Sequence, residues 1–452
     1  MDNKYSMVID YIKREIAEKK LKSGGKLPSI RDISKSMQCN KITVIRAFSQ
    51  LEREHIVYSV PKSGYYLVSN TKTSKYFSDS GLIDFSSPVP SSGVLLNSEF
   101  EHCVSQAIKI YKDEIFYHHD LQGILSLRKI VKKSLQDLQV FTNEDNIFIT
   151  TGSQQTLFIL AKMPFPNGKN CVLAEQPTYP GMLKALELNN VTTLGIRRNA
   201  DGLNLDELEN IFKNGDIKFF YTIPRLHNPT GYSYSAGQKK EIINLAKQHN
   251  VYIVEDDYLA ELDHNKKADP IFSYDISSKV IYVKSYSKIL LPWLRIGIVV
   301  LPHPMTNLFR DFKMYSDISS SLLSQGALEI YIKNGMYKKH LKRIKQIYQG
   351  RMQAAKKSFD RYLSGLASGY MPDTGYYTCL ELPETIRAKT VSDSLKQKKV
   401  IITSAEDSFL PAFKKENILR LGMRNVDEDK IEEGIRKISE ELARLQKNFQ
   451  IE

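Results

Sequence analysis

The sequence predicts two modules: a helix-turn-helix followed by a β-ribbon, then an α/β body with a mainly parallel sheet. Three observations predict them. Residues 1–69 read as helix, short turn, helix and two short strands. Beyond residue 83, apolar runs alternate with amphipathic stretches. Between them, residues 70–82 are rich in Ser, Thr and Lys and read as a linker. The body then extends over 83–452, with a smaller α/β subdomain from about residue 335.

The elements follow in order. Tyr5–Lys20 carries Met7, Val8, Tyr11, Ile12 and Ile16 near a helical period. After KSGGKLP, Ser29 is placed to cap the short helix SIRDISKSM. A turn at Gln38–Asn40 leads into KITVIRAFSQLEREH, in which Val44, Ala47, Phe48 and Leu51 share one face. IVYSVPKSGYYLV then reads as two strands around a PKSG turn. In the body the strand-like runs are IFIT, NCVLAE, IKFFYTIP, VYIVEDD, VIYVKS and RIGIVVLP.

Composition narrows the classes. The 452 residues are 42% apolar and 25% charged, which excludes a collagen-like or disordered chain. Cys39, Cys103, Cys171 and Cys379 are far apart with no CxxC pair, so neither a disulfide scaffold nor a cysteine-rich zinc site is expected, and no metal is assigned. With no apolar run near the ~20 residues of a membrane span and no export-like N-terminus, the expected location is the bacterial cytoplasm. The net charge is +13, and residues 1–75 hold 15 Lys and Arg against 7 Asp and Glu, or +8 of it. Such a basic module suggests a polyanionic partner.

The first module resembles the GntR family of bacterial regulators, through Leu27-Pro28-Ser29-x-Arg31-Asp32-Ile33-Ser34, Thr43-Val44, Ala47-Phe48-x-x-Leu51-Glu52 and Gly64. The resemblance implies a winged helix-turn-helix binding double-stranded promoter DNA. Arg31 and the start of the second helix of the motif would meet DNA, with Lys41 in place of a frequent arginine, Thr43 reaching a phosphate, and Lys62 and Gly64 in the wing. Where some relatives carry a further arginine, this chain has Ile45. Arg31 could instead pair with Asp32 or Glu52, and Lys62 could be an ordinary charged turn residue.

The body carries a chemical constellation. In Ser285-Tyr286-Ser287-Lys288-Ile289-Leu290-Leu291-Pro292-Trp293-Leu294-Arg295-Ile296-Gly297, a lysine lies beside hydroxyl residues at the end of an apolar strand, with an arginine seven residues on. Lysine is a nucleophilic amine capable of Schiff-base chemistry when desolvated, and hydroxyls with arginine suit a dianionic phosphate. Pyridoxal 5′-phosphate (PLP) satisfies both needs. The run resembles class I and II aminotransferases of PLP fold type I, which implies Lys288 as the aldimine lysine, with Lys284 a rival by position.

That resemblance assigns the other segments. Thr150-Thr151-Gly152-Ser153-Gln154-Gln155 would cup phosphate through the N–H groups of Ser153 and Gln154, helped by Ser285, Ser287 and Arg295. Tyr179 of Glu175-x-Pro177-x-Tyr179-Pro180 would stack on the pyridine ring, and Asn228 of Asn228-Pro229-Thr230-Gly231 would meet its phenolic oxygen. In Val254-Glu255-Asp256-Asp257-Tyr258, Asp256 would face the ring nitrogen and Tyr258 the phenol side, making Lys288, Asp256 and Tyr258 the catalytic group. In Leu419-Arg420-Leu421-Gly422, Arg420 would clamp a substrate or effector carboxylate, with Arg424 a competitor.

Two departures stand out: His118, beside Tyr117, occupies the usual place of a tyrosine reaching the neighbouring subunit, and the lid turn reads Pro372-Asp373-Thr374-Gly375. Together the modules match the MocR subfamily of GntR-type regulators. This implies a homodimer, commonly swapped head-to-tail, whose PLP-bearing domain senses a small amine, an amino acid or the cofactor. PRLHNPTG is closer to true aminotransferases than the H-Q-[FY]-P-[ST]-G often seen in the subfamily, so an active aminotransferase with a fused DNA module is the alternative.

Overall fold

The computed structural model describes residues 3–18, 21, 24–53, 56–60, 63–68, 81–91, 97–112, 120–265 and 268–449. The chain divides into two units: Met1–Ser80 with Leu96–Ile115 and Gly326–His340, and Gly81–Leu95 with Phe116–Gln325 and Leu341–Glu452.

The first unit contains α1 (Asn3–Ala17), α2 (Ile30–Ser36), α3 (Lys41–Arg53), and the antiparallel strands β1 (Val57–Val60) and β2 (Gly64–Leu67). Ser29 opens α2 through a reciprocal cap. Its Oγ accepts from Asp32 N at 3.2 Å, while Ser29 N and Oγ donate to Asp32 Oδ2 at 3.2 and 2.7 Å. Asn40 Oδ1 accepts from Ile42 N at 3.1 Å and so starts α3. Val8, Ile9, Ile12, Ile33, Val44, Ala47, Phe48 and Leu51 form the core with Val57 and Leu67. Met7, expected on the apolar face of α1, is 51% exposed, and Ile9 is buried. The helix's core face is thus turned toward Val8, Ile9 and Ile12.

The same unit includes helix α4 (Asn97–Tyr111) and residues 326–340, which the sequence reading placed in the body. Tyr111 Oη donates to Glu329 Oε2 at 2.6 Å. The His102 ring lies against Tyr66 and Tyr58, with centroids 4.9 and 6.0 Å apart. Lys339 pairs with Glu52. Helical periodicity shows that such segments have an apolar face but not which neighbour covers it.

The second unit begins with β3 (Ile83–Asp84) and holds an eight-stranded sheet. Its strands are β4 (Ile147–Thr150), β5 (Cys171–Gln176), β6 (Thr193–Asn199), β7 (Gly202–Leu203), β8 (Ile217–Thr222), β9 (Tyr252–Asp256), β10 (Val280–Ser285) and β11 (Gly297–Val300), in the order β4-β11-β10-β9-β8-β5-β6-β7. β10, β9, β8, β5 and β6 pair in parallel, while β11 is antiparallel to both β10 and β4. All six strand runs read from the sequence are present. Leu173, Phe220, Ile253 and Val280 pack with Leu208, Phe212, Ile242 and Ala246 from the helices Leu205–Asn214 and Ala236–Gln248.

A second sheet joins β12 (Ser368–Gly369), β13 (Tyr377–Glu381), β15 (Thr403–Ser404) and β16 (Ile418–Gly422) in the order β12-β13-β16-β15, all antiparallel. β14 (Val400–Ile401) pairs in parallel with β3. Ile83 and Phe85 thereby join Met352, Leu380, Val391, Leu421, Ile431 and Ile435 in one core. The C-terminal subdomain thus draws in the first residues of the body. No helix among the described residues is long and apolar enough to cross a membrane.

Candidate functional site

The C-terminal ends of β4, β5, β8, β9 and β10 carry or lead into Ser153, Tyr179, Asn228, Asp256 and Lys288, the end of a parallel sheet where ligands bind in open α/β folds. Two acids end β9 and a third, Asp257, follows it, and their partners separate them. Glu255 accepts from Ile271 N and Phe272 N at 2.9 and 2.8 Å. Asp257 is held by Arg225 and by Tyr282 Oη at 2.7 Å. Burial would raise its pKa, but the Arg225 charge keeps it below the ordinary carboxylate value. Asp256 receives Tyr221 Oη on Oδ2 at 2.8 Å, while its Oδ1 is buried without a partner among the described residues. Burial pushes Asp256 up to about 7, against the opposing effects of the Tyr221 hydrogen bond and the Lys288 charge.

The two lysines separate in the same way. Lys284 Nζ is buried 2.5 Å from Glu261. Lys288, partly exposed, acts electrostatically on Asp256 and Tyr377. Its backbone is fixed on both sides: Tyr376 Oη and Arg424 Nη2 donate to Lys288 O at 2.9 and 2.7 Å. Arg424 is fully buried and also reaches Pro88 O, so it serves the backbone. The Arg420 guanidinium lies 5.3 Å from the Tyr377 ring centroid, and its Nε is buried without a partner among the described residues.

The turn after β4 is shaped by glycine. Gly152 has φ +80°, and a Cβ there would lie 2.5 Å from Arg295 Nη2. A Cβ on Gly297, the register partner of Thr150, would lie 2.5 Å from Ser153 N. The helix Ser153–Lys162 starts with no side-chain cap, which leaves its first N–H groups available beside Arg295. Gln154 Oε1 accepts from Tyr179 Oη at 3.1 Å, and its Nε2 donates to Gly181 O at 2.8 Å. Tyr179 is pushed up to about 12, by burial first and then by Asp256. Tyr258 Oη donates to Leu226 O at 2.9 Å. Ser285 and Ser287 are buried at and just after the end of β10.

Asn228 Oδ1, Asp256 Oδ1, Ser287 Oγ and Arg420 Nε thus need partners that the described residues do not supply. Acceptors, donors, an amine and an uncapped helix start suit a compact ligand carrying a ring nitrogen, a phenolic oxygen and a phosphate. PLP fits this set.

Arg31 and Lys41 are exposed on α2 and α3, and Thr43 is half-buried with its N donating to Asn40 O at 2.9 Å. Asp32 is occupied by Ser29. Glu52 accepts from Ser59 N and Oγ at 3.0 and 2.8 Å. Arg31 makes no ion pair among the described residues, so neither acid claims it. Gly64 opens β2 with φ +122°. Lys62, Tyr117 and His118 lie outside the described residues.

Residues 91–438 match the model of aminotransferase class I and II, and residues 4–67 that of bacterial regulatory proteins, gntR family. The chain is 41% identical over 445 residues to the HTH-type transcriptional regulator YcxD of Bacillus subtilis (strain 168), covering 97% of this chain and 100% of that protein. The chain belongs to the MocR subfamily of GntR-type transcriptional regulators. This MocR-type chain is also 25% identical over 403 residues to the regulator NorG of Staphylococcus aureus (strain USA300), covering 83% of this chain and 91% of NorG. Its body is similar to the crystal structure of LysN, an α-aminoadipate aminotransferase from Thermus thermophilus complexed with N-(5′-phosphopyridoxyl)-L-leucine. The TM-score is 0.74 at 25% identity, covering 81% of this chain and 93% of LysN.

Sequence reasoning missed one residue of this MocR-type site. Tyr377, buried at the start of β13, has its pKa lowered: burial would raise it, but the cations Lys288, Arg420 and Arg424 outweigh burial. Tyr376-Tyr377 after the lid turn was the available signal, but a tyrosine pair in an apolar strand reads as packing.

Proposed function

We propose that the protein is a PLP-dependent transcriptional regulator that binds promoter DNA through its N-terminal winged helix, residues 1–69, and senses an amine or amino acid, or PLP itself, at Lys288. The observation that carries this reading is the set of buried polar atoms of Asn228, Asp256, Ser287 and Arg420 left without partners among the described residues, in a chain of a regulator family. PLP, when bound, supplies an aldehyde that captures primary amines and a ring that withdraws electrons from them.

The chain's own groups would act as follows. Asp256 presents Oδ1 as the acceptor for a protonated ring nitrogen, and Tyr221 fixes the orientation of that carboxylate. Ser153 N, Gln154 N, Ser285, Ser287 and Arg295 hold the phosphate. Asn228 and Tyr258 would meet the phenolic oxygen, and Tyr179, steadied by Gln154, would stack on the ring. Lys288 Nζ would hold the cofactor's aldehyde carbon and would accept or return a proton, with Tyr377 beside it. Arg420 takes the effector's carboxylate in a bidentate pair.

The protein would work as a cytoplasmic homodimer, with a head-to-tail swap as the favoured arrangement. Adding amines one by one to the PLP-loaded protein while recording absorbance and promoter-DNA affinity tests the reading. One amine should change both; a panel whose members change the spectrum but never the DNA affinity would remove the sensing role.

The second reading, an active aminotransferase with a fused DNA module, is favoured by the complete residue set and by the similarity to LysN. Sustained turnover of an amino acid with an oxo acid would support it, and a stalled spectral change would support the sensor.

A further inference from the structure

We propose that Ile42 and Ile45 read thymine methyl groups in the major groove, so that the operator half-site carries thymines facing the start of α3. The proposal rests on the DNA-binding reading and gives it a base preference. At roughly 100° per residue, Ile42, Ile45 and Arg46 point away from Val44, Ala47, Phe48 and Leu51, which are fully buried in the core of the first unit. Ile42 is 59% exposed and Ile45 is 43% exposed.

Two β-branched apolar side chains on the outer face of a 13-residue helix thus leave much of their surface open to solvent and stay out of their own unit's core. Their surroundings say what covers them. Exposed Lys41 and Arg46 flank them, and exposed Arg31 and Lys35 lie on α2, so the partner is a polyanion. Among the base edges of duplex DNA, only thymine's C5-methyl is apolar in the major groove. A guanidinium at position 45 would favour guanine; isoleucine has no donor to offer it and gains by removing a methyl group from water.

The test uses the full-length protein and a duplex enriched from a random-sequence pool. Each thymine is replaced in turn by deoxyuridine, which removes one methyl and leaves the pairing edges intact. Replacing one or two thymines per half-site should weaken binding about three- to tenfold. Ile42→Ala or Ile45→Ala should abolish the penalty at its own thymine and leave the melting temperature unchanged, because both side chains are exposed.

Neutral deoxyuridine at every position would overturn the proposal, as would a penalty that persists in both alanine variants. Alanine variants that change the oligomeric state while leaving DNA affinity intact would overturn it in favour of a second copy of the chain. A pool from which no duplex is enriched would overturn the DNA-binding reading itself, a result distinct from tight binding that ignores the methyl groups.

Discussion

Asp256 shows how much one buried carboxyl can report. Its pKa is pushed up to about 7 by burial, from an ordinary 3.8. Between those values the folded chain keeps a proton that the unfolded chain has released. The group's contribution to stability is therefore full below about pH 4 and is lost as pH rises through about 7. In the PLP-free protein, Asp256→Asn should remove part of the fall in melting temperature between pH 5 and pH 8. Glu255, raised in the same direction by burial and then by Asp257, leaves a residual slope.

The paired arginines give a second outcome at this scale. Arg420→Lys should keep the fold and the PLP spectrum but weaken the response to carboxylate-bearing amines at least tenfold in a spectral titration. Arg424→Leu should destabilise by about 3 kcal/mol in denaturant unfolding, because it leaves buried carbonyls unmatched. Neither role was fixed by the sequence motif alone, since Arg420 and Arg424 are both near R-L-G. Which of them is committed to Lys288 O and Pro88 O depends on long-range packing. For Asp256 against Asp257 and Lys288 against Lys284 the resemblance already chose Asp256 and Lys288, while the physical reason, that Arg225 engages Asp257 and Glu261 engages Lys284, lies in long-range packing.

At the scale of elements, the turn between β4 and the helix Ser153–Lys162 is set by two glycines from distant segments. Gly297→Ala would drive a Cβ to 2.5 Å from Ser153 N. PLP affinity, measured by absorbance titration, should fall by about tenfold or more while the sheet persists. Ser29→Ala should cost about 1 kcal/mol in the first unit through loss of the α2 cap, seen as a lower thermal midpoint for that unit. These local devices were readable, because a cap or a Gly turn involves residues adjacent in sequence. The strands of the large sheet were readable too, because they are continuous apolar runs. The placement of α4 and residues 326–340 with the first unit was not, because Tyr111–Glu329 and Glu52–Lys339 join segments hundreds of residues apart.

For the whole molecule, the claim is that one chain couples amine capture to DNA binding. An effector can shift the DNA-bound population only by its differential affinity for the two states. Saturating effector should therefore change DNA affinity, and DNA should change effector affinity by the same factor. DNA affinity should also fall steeply with salt, by a log–log slope of about −0.9 per neutralised phosphate, in keeping with the basic first module. The coupling of amine capture to DNA binding depends on the identity of the anchoring lysine. Borohydride reduction of the PLP-loaded protein, followed by peptide mapping, measures it directly. The account requires a single stable pyridoxyl tag on Lys288; a tag on Lys284 or on any other lysine, or no tag at all, would contradict it.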